Sequence, residues 1–364
     1  MNNNQKINIK GLFQFFKSSA LVWGLLLLSS PLFATSMVDL PSWANYQMPG
    51  TPSLRGSAIA EDSLWVTGTN NSVFVSQDGG RSWQNKSVSF DGVTDFRDIE
   101  LFDKDTAIVM GVGSAEQSVL FKTVDGGDSW SLLYQNDDKK GFFDSIAFWN
   151  NQQGLLIGDP VDGYYVVKKT EDGGKTWRRI ARDKLPTIID QESAFAASGN
   201  TMMVGKNGKA WITTGGFSAS VYFSNDYGES WQRQTLPLYN DSQTAGGYGL
   251  ALNHLMQPFV IGGDYQQRLA KYTNMASLIN GQWQKVDTGE RGLRTAMSCQ
   301  GNICITTGKT GIDISYNGGK TWQPLTNNAA KIGDKGFYTI AADKFVFLAA
   351  GANGRVGVLS FKRK

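Results

Sequence analysis

Short apolar runs, each closed by a glycine, recur along this chain. "LWVTG" ends at Gly68, "AIVMG" at Gly111, "LLIG" at Gly158, "MMVG" at Gly205, "FVIG" at Gly262, "ICITTG" at Gly308 and "VFLAAG" at Gly351. Each follows another short apolar segment and leads into a third that runs to a polar turn. Runs of this length broken by Gly, Asn and Asp are strand patterns, and no long stretch of helical periodicity follows the leader. Seven units of four short strands predict an all-β fold, a seven-bladed β-propeller of four-stranded blades.

A polar signature runs in phase with the strands. "SQDGGRSWQ" begins at Ser76, and "TVDGGDSWS", "TEDGGKTWR", "SNDYGESWQ" and "SYNGGKTWQ" begin at Thr123, Thr170, Ser224 and Ser315. Asp78, Asp125 and Asp172 are 47 residues apart, Asp226 follows 54 later, and Asn317 lies 91 further on. That last step is two periods, and "GQWQKV" around Trp283 is the degenerate copy between them. In each turn the Asp (Asn317 in the last) and the Ser/Thr exchange hydrogen bonds with the hairpin. The Gly supplies positive φ, and Trp83, Trp130, Trp177, Trp231 or Trp322 buries an apolar face. Five copies at one local position indicate architecture, since a single active site would break the symmetry. The unit ending at Gly351 lacks a turn of this kind, and "PSWANYQMP" near the N-terminus has a Trp but no unit. That segment is therefore expected to supply the outer strand of the last blade and so remove two sheet edges.

Residues 1–34 form a candidate signal peptide, with Lys6, Lys10 and Lys17 before the apolar run Ala20–Leu28 and a cleavage-like "LFA" ending at Ala34. The expected propeller domain is then 35–364. The whole chain has 35 Lys+Arg against 32 Asp+Glu, and the three leader lysines account for the difference. A neutral mature chain gives no electrostatic case for nucleic acid or an anionic membrane surface. Cys299 and Cys304 flank a tight hairpin in "SCQGNIC", where a disulfide suits an exported protein and two free thiols are the alternative.

Function is expected where the blades differ at equivalent positions. The starts of the innermost strands are Arg55, Arg97, Asp144, Glu192, Tyr248, Arg294 and Tyr338, and in a propeller they ring one mouth of the central channel. The loops after the glycines open on that face and add Asp159 and Asp162 in "GDPVDG" and Asp264 in "GGDY". Converging guanidinium groups suit a carboxylate or another planar anion; a salt-bridge network tying blade to blade is the other reading. The acidic loop residues lack metal-ligand spacing, His254 falls in a hairpin, and "GVGSAEQS" lacks the helix of a phosphate loop. No metal, cofactor or catalytic residue is assigned.

The S/T-x-D-x-G-x-x-W element resembles the Asp-box (BNR) repeat, found in sialidases and in many non-enzymatic propellers. Over residues 40–360 the chain is similar to bacterial relatives of the photosystem II stability/assembly factor family. Its seven units, "DGGKTW", "FRDIELFD", "AFWNNQQGLLIGDPVDG" and "FAASG" carry that resemblance. The resemblance implies a non-enzymatic scaffold; the leader adds export to the periplasm or cell surface, and a monomer is expected. It would grip a partner protein, membrane-associated or not, through an acidic tail or loop held by Arg55, Arg97 and Arg294. The photosynthetic role is not carried over. The alternative is a sialidase-like glycoside hydrolase with three arginines on a substrate carboxylate, a Tyr nucleophile assisted by Glu, and an Asp acid/base. Against it stand that family's six blades, the absence of Pro in "LRGS" and the lack of an assignable Tyr–Glu pair.

Overall fold

The computed structural model describes residues 43–289, 291–325 and 336–361, so the candidate signal peptide lies outside the described residues. The described chain folds into seven four-stranded antiparallel sheets, and the inner strands of neighbouring sheets pack side by side around a ring. Blade one is typical: Leu54–Ala60 innermost, then Ser63–Gly68, Val73–Ser76 and the short outer Gln84–Asn85. Second strands such as Ser63–Gly68 and Ala107–Val112 are buried at every position. This is why their sequences are continuous apolar runs rather than alternating ones.

The core is divided into seven apolar layers, one at each seam between neighbouring blades. Each layer takes one tryptophan from an outer strand or the turn before it. Going round the ring from the seam of blades seven and one, these are Trp83, Trp130, Trp177, Trp231, Trp283 and Trp322. The repeated Trp therefore lies between blades, not within its own hairpin. The last seam, between blades six and seven, is filled by Trp43, buried and 5.5 Å from the Phe337 ring.

Trp43 arrives there because the N-terminal strand Ala44–Gln47 pairs with Arg355–Ser360 of blade seven, Ala44 opposite Val358 and Gln47 opposite Arg355. The Met48 N–H then donates to the Gly354 carbonyl at 2.7 Å. The strand expected from "PSWANYQMP" thus closes the last blade and gives it its fourth strand.

The Asp turns are closed locally. Thr170 donates to Asp172 at 2.9 Å and accepts from the Gly174 N–H, while Asp172 accepts from the Thr176 N–H and hydroxyl at 2.9 and 2.6 Å. Asp78, Asp125 and Asp226 repeat the arrangement, and Asn317 keeps it by accepting from the Thr321 N–H and donating its amide to the Thr321 hydroxyl. The Ser129 and Thr176 hydroxyls lead the hydrogen bonds that hold Asp125 and Asp172 down at about 2.

Blade four departs from the sequence reading. Its second strand is Ala210–Thr214, ending before Gly215, and "MMV" of Met202–Val204 is its short innermost strand. Gly205 closes the hairpin between them. The phasing slipped because the step from Gly158 to Gly215 is ten residues longer than the 47-residue period. Those extra residues determine the shape of the channel.

Replacing Trp43 by Ala should destabilise the propeller by about 3–5 kcal/mol, the usual penalty for a truncated buried aromatic. Chemical denaturation reads this directly, with exposed Asn45→Ala on the same strand as the near-neutral control.

Candidate functional site at the channel mouth

Five of the seven positions nominated from sequence sit in the same backbone device. Arg55, Arg97, Asp144, Tyr248 and Tyr338 are each the extra residue of a β-bulge, directly after the residue paired with the glycine of the second strand. A bulge re-aims one side chain without breaking the sheet. Repeated round the ring, it delivers these side chains to one end of the channel.

The other two positions require correction. Arg294 occupies the place of buried residues such as Leu54 and Phe337, one position before the channel site, which falls to Thr295. Its side chain is 2% exposed and is locked on the fully buried Asp313, with Nε–Oδ2 of 2.8 Å and Nη2–Oδ2 of 2.7 Å. Glu192 does not begin an inner strand. It is buried in a loop and accepts from the Ile189 N–H and from the Thr214 and Tyr222 hydroxyls, anchoring blade four. For both residues, the salt-bridge and hydrogen-bond reading fits and the exposed-ring reading does not.

After Ser193, which is bridged to Gly215, the chain leaves blade four and crosses the channel before rejoining it at Met202. The Ala197 carbonyl accepts from Arg55 at 2.7 Å and the Ala196 carbonyl from Arg97 at 2.6 Å. Ser145 donates to the Gly199 carbonyl at 2.8 Å, and Ser198 donates to the Tyr338 carbonyl. Phe195 stacks on Tyr248, centroids 4.4 Å apart and planes 10° from parallel. The segment thus touches blades one, two, three, five and seven, and plugs the channel. Its composition, "AFAASGN", allows this. At Gly199 an added Cβ would lie 1.9 Å from the Asp98 carboxyl carbon, so only glycine fits.

Two arginines share one carboxylate at the mouth. Arg97 holds Asp95 at 2.8 Å, while Arg55 lies 3.7 Å from the same carboxylate. Both guanidinium groups are about a quarter exposed, and each spends only part of its five donors on Asp95 and the plug. Arg55 also lies over the Tyr338 ring at 5.0 Å, with the Lys309 ammonium over the same ring at 5.6 Å. Burial lowers the Arg55 pKa, an effect the Asp95 charge opposes. Two blade-three acids, Asp144 and Asp159, are pushed upward beside these cations. Asp144 is buried with Oδ2 lacking a hydrogen-bond partner, and burial, reinforced by Asp159, pushes it well up. Burial raises Asp159 as well. Between Arg55, Tyr248, Thr295, Lys309, Tyr338 and the plug's Ser198 lies a cavity of about 210 Å³, sized for a side chain or a chain end rather than a large ligand.

The remaining nominated residues do not converge on this cavity. Asp162 is an exposed turn residue paired with Arg182 at 2.6 Å, and that bond lowers its pKa. Asp264 is buried and accepts from Thr244, Ser242, Gln266 and Gln267; burial pushes it up, but these bonds outweigh it and hold it low. Cys299 and Cys304 are disulfide-bonded across the hairpin of blade six. Among the described residues no His/Cys/Asp/Glu group suited to a metal is found, and no helix is long and apolar enough to cross a membrane. Asp95, Thr295, Lys309 and the plug were missed from sequence. The ten surplus residues before Gly215, and Asp95 two positions before Arg97, were the available signals.

These features define an Asp-box, seven-bladed propeller that resembles the photosystem II assembly-factor family. Residues 112–208 match the family described as photosynthesis system II assembly factor YCF48. Among solved structures, YCF48 bound to D1 peptide is 16% identical, with 88% of this chain and 97% of that chain covered and a TM-score of 0.65. YCF48 from Cyanidioschyzon merolae is 16% identical over 88% and 99%, with a TM-score of 0.63. Virginiamycin B lyase from Staphylococcus aureus, 11% identical over 88% and 99%, also reaches 0.63. At such identities the likeness establishes the fold. No curated protein matches the sequence.

Below the mouth, Asp98 faces the plug and is raised to about 7 by burial, against hydrogen bonds from Ile146, Ser145 and Ile99. Burial and the Asp98 charge raise Glu100 too. The unfolded Asp98 would lose its proton near pH 4, the folded one near 7. Its contribution to stability is therefore complete below about pH 4 and is lost as pH rises through about 7. Thermal midpoints should fall between pH 5 and pH 8, and Asp98→Asn should flatten that slope.

Proposed function

We propose that this chain is an exported, non-enzymatic binding propeller that grips a carboxylate-bearing segment of a partner protein at the plugged channel mouth. The observation that carries this reading is the pairing of Arg55 and Arg97 on adjacent blades. They share a single carboxylate, Asp95, and Arg55 borders a cavity whose lining also includes Lys309. Guanidinium donors left over after internal pairing suit the two oxygens of a carboxylate. The small cavity suits a chain end or one side chain, with the rest of the partner lying across the mouth.

The resemblance to the assembly-factor family supports the reading, as does a similar structure that holds a peptide, YCF48 with D1 peptide. Export rests on the basic and apolar leader of residues 1–34. The sialidase-like alternative needs three arginines on one substrate carboxylate. Arg294 is held on Asp313 instead of joining Arg55 and Arg97, so that clamp is not assembled.

The test is affinity recovery of partners from the native host's envelope extract, using wild type and Arg55→Glu/Arg97→Glu after both are shown to be folded. Recovery of the specific partner should drop at least about tenfold in the variant, and should weaken with salt in the wild type. Equal recovery by both proteins would place the partner elsewhere. The same preparations should not turn over a fluorogenic sialoside.

A further inference from the structure

The opposite face, where the Asp turns and the first hairpin of each blade emerge, carries a second feature that the mouth does not explain. In four of the five Asp turns the residue after the Asp or Asn is a glycine with φ between 71° and 75°: Gly79, Gly126, Gly173 and Gly318. In blade four it is Tyr227, held at φ 59°. Its backbone N–H donates to the Gly208 carbonyl, as Gly173 does to Gln152 and Gly318 to Asn302. The turn thus needs nothing that a glycine would not supply, and a bulky side chain in left-handed backbone is strained. The ring is nonetheless retained and is 40% exposed.

That ring lies in a prepared place. It packs against the bare backbone of Gly208, where an added Cβ would sit 2.5 Å from ring carbon Cδ2. It meets the Trp149 indole at 5.2 Å and 59°. Together they wall a cleft of about 450 Å³ between blades three, four and five, whose rim includes Gln153, Lys206, Asn207 and Met256. Met256 is also in left-handed backbone, so two strained side chains meet at one cleft beside Asn207, a residue type that takes this backbone readily.

We propose that this cleft is a binding site for a neutral saccharide. The exposed Tyr227 face, supported edge-on by Trp149, offers an aromatic platform for the C–H face of a sugar ring. Around it stand the Asn207 amide, the Gln153 amide nitrogen and the Lys206 ammonium, for which no hydrogen-bond partner is found among the described residues. These are the donors and acceptors that ring hydroxyls require. No carboxylate lines the cleft and the Lys206 ammonium repels a cation from the aromatic faces, while a single ammonium does not make an anion site. The Trp149 N–H already donates to the Gly205 and Lys209 carbonyls, at 3.0 and 3.2 Å. It is therefore not available to the backbone carbonyls of a proline-rich peptide.

The experiment is calorimetric titration of the full propeller with cellohexaose, chitohexaose and maltohexaose, and with a proline-rich peptide as competitor class. At least one oligosaccharide should bind with a dissociation constant of roughly 0.1–1 mM. Tyr227→Gly installs the residue the other turns already carry. It should weaken binding at least about tenfold while the propeller stays folded, as read by circular dichroism. Tyr227→Phe should retain binding, and so should Arg55→Glu/Arg97→Glu, which separates this site from the channel mouth. No binding of any oligosaccharide, binding only of the peptide, or saccharide binding unchanged by Tyr227→Gly would each overturn the assignment.

Discussion

The seams between blades are what the rest of this structure depends on. A four-stranded blade of strands as short as Gln84–Asn85 or Arg178–Arg179 has no interior of its own, and all seven apolar clusters are shared by two neighbours. Burial of the second strands and of one Trp at each seam is therefore a property of the closed ring. Trp43 gives the N-terminal strand a double role: it completes the hydrogen bonding of blade seven and fills one of the two seams that no Asp turn supplies. The Asp turns are subordinate to this packing. Their internally satisfied side chains fix where each outer strand starts, and hence where each Trp falls.

Because the ring is fixed by its seams, the channel end can carry groups that pack poorly elsewhere. Five bulges turn Arg55, Arg97, Asp144, Tyr248 and Tyr338 away from the seams, and the blade-four excursion fills the channel they surround. The plug gives the two arginines carbonyl partners that carry no charge, so it orients them while Asp95 is the one carboxylate they share. A carboxylate approaching the mouth then meets guanidinium groups already held in place, which lowers the ordering penalty of binding. Burial pushes the nearby acids Asp98 and Asp144 upward.

Most of the architecture was legible in the chain, because it is repeated. Apolar runs ending in glycine and Asp turns at a constant period specify blade number, and the isolated "PSWANYQMP" specifies how the ring closes. The errors fell where repetition fails. In blade four a ten-residue excursion moved the second strand from "MMVG" to "AWITTG". The same excursion removed Glu192 from the ring and created a plug that no periodic reasoning could anticipate. In blade six a one-residue slip decided the fate of Arg294, since neighbouring positions on a strand face opposite sides. There the structure puts Thr295 at the channel and Arg294 on buried Asp313. Site residues are read from exceptions to a repeat, and exceptions are where register is least constrained by sequence.

If the plugged mouth, not another surface, receives the partner, binding must protect it from solvent. Amide hydrogen exchange on the propeller alone and in complex with its co-purified partner tests this most directly. Slowed exchange is expected in residues 194–201 and in the bulge segments around Arg55 and Arg97, with the Asp-turn face unchanged. Protection confined to the Asp-turn face, with the plug exchanging as in the free protein, would contradict it.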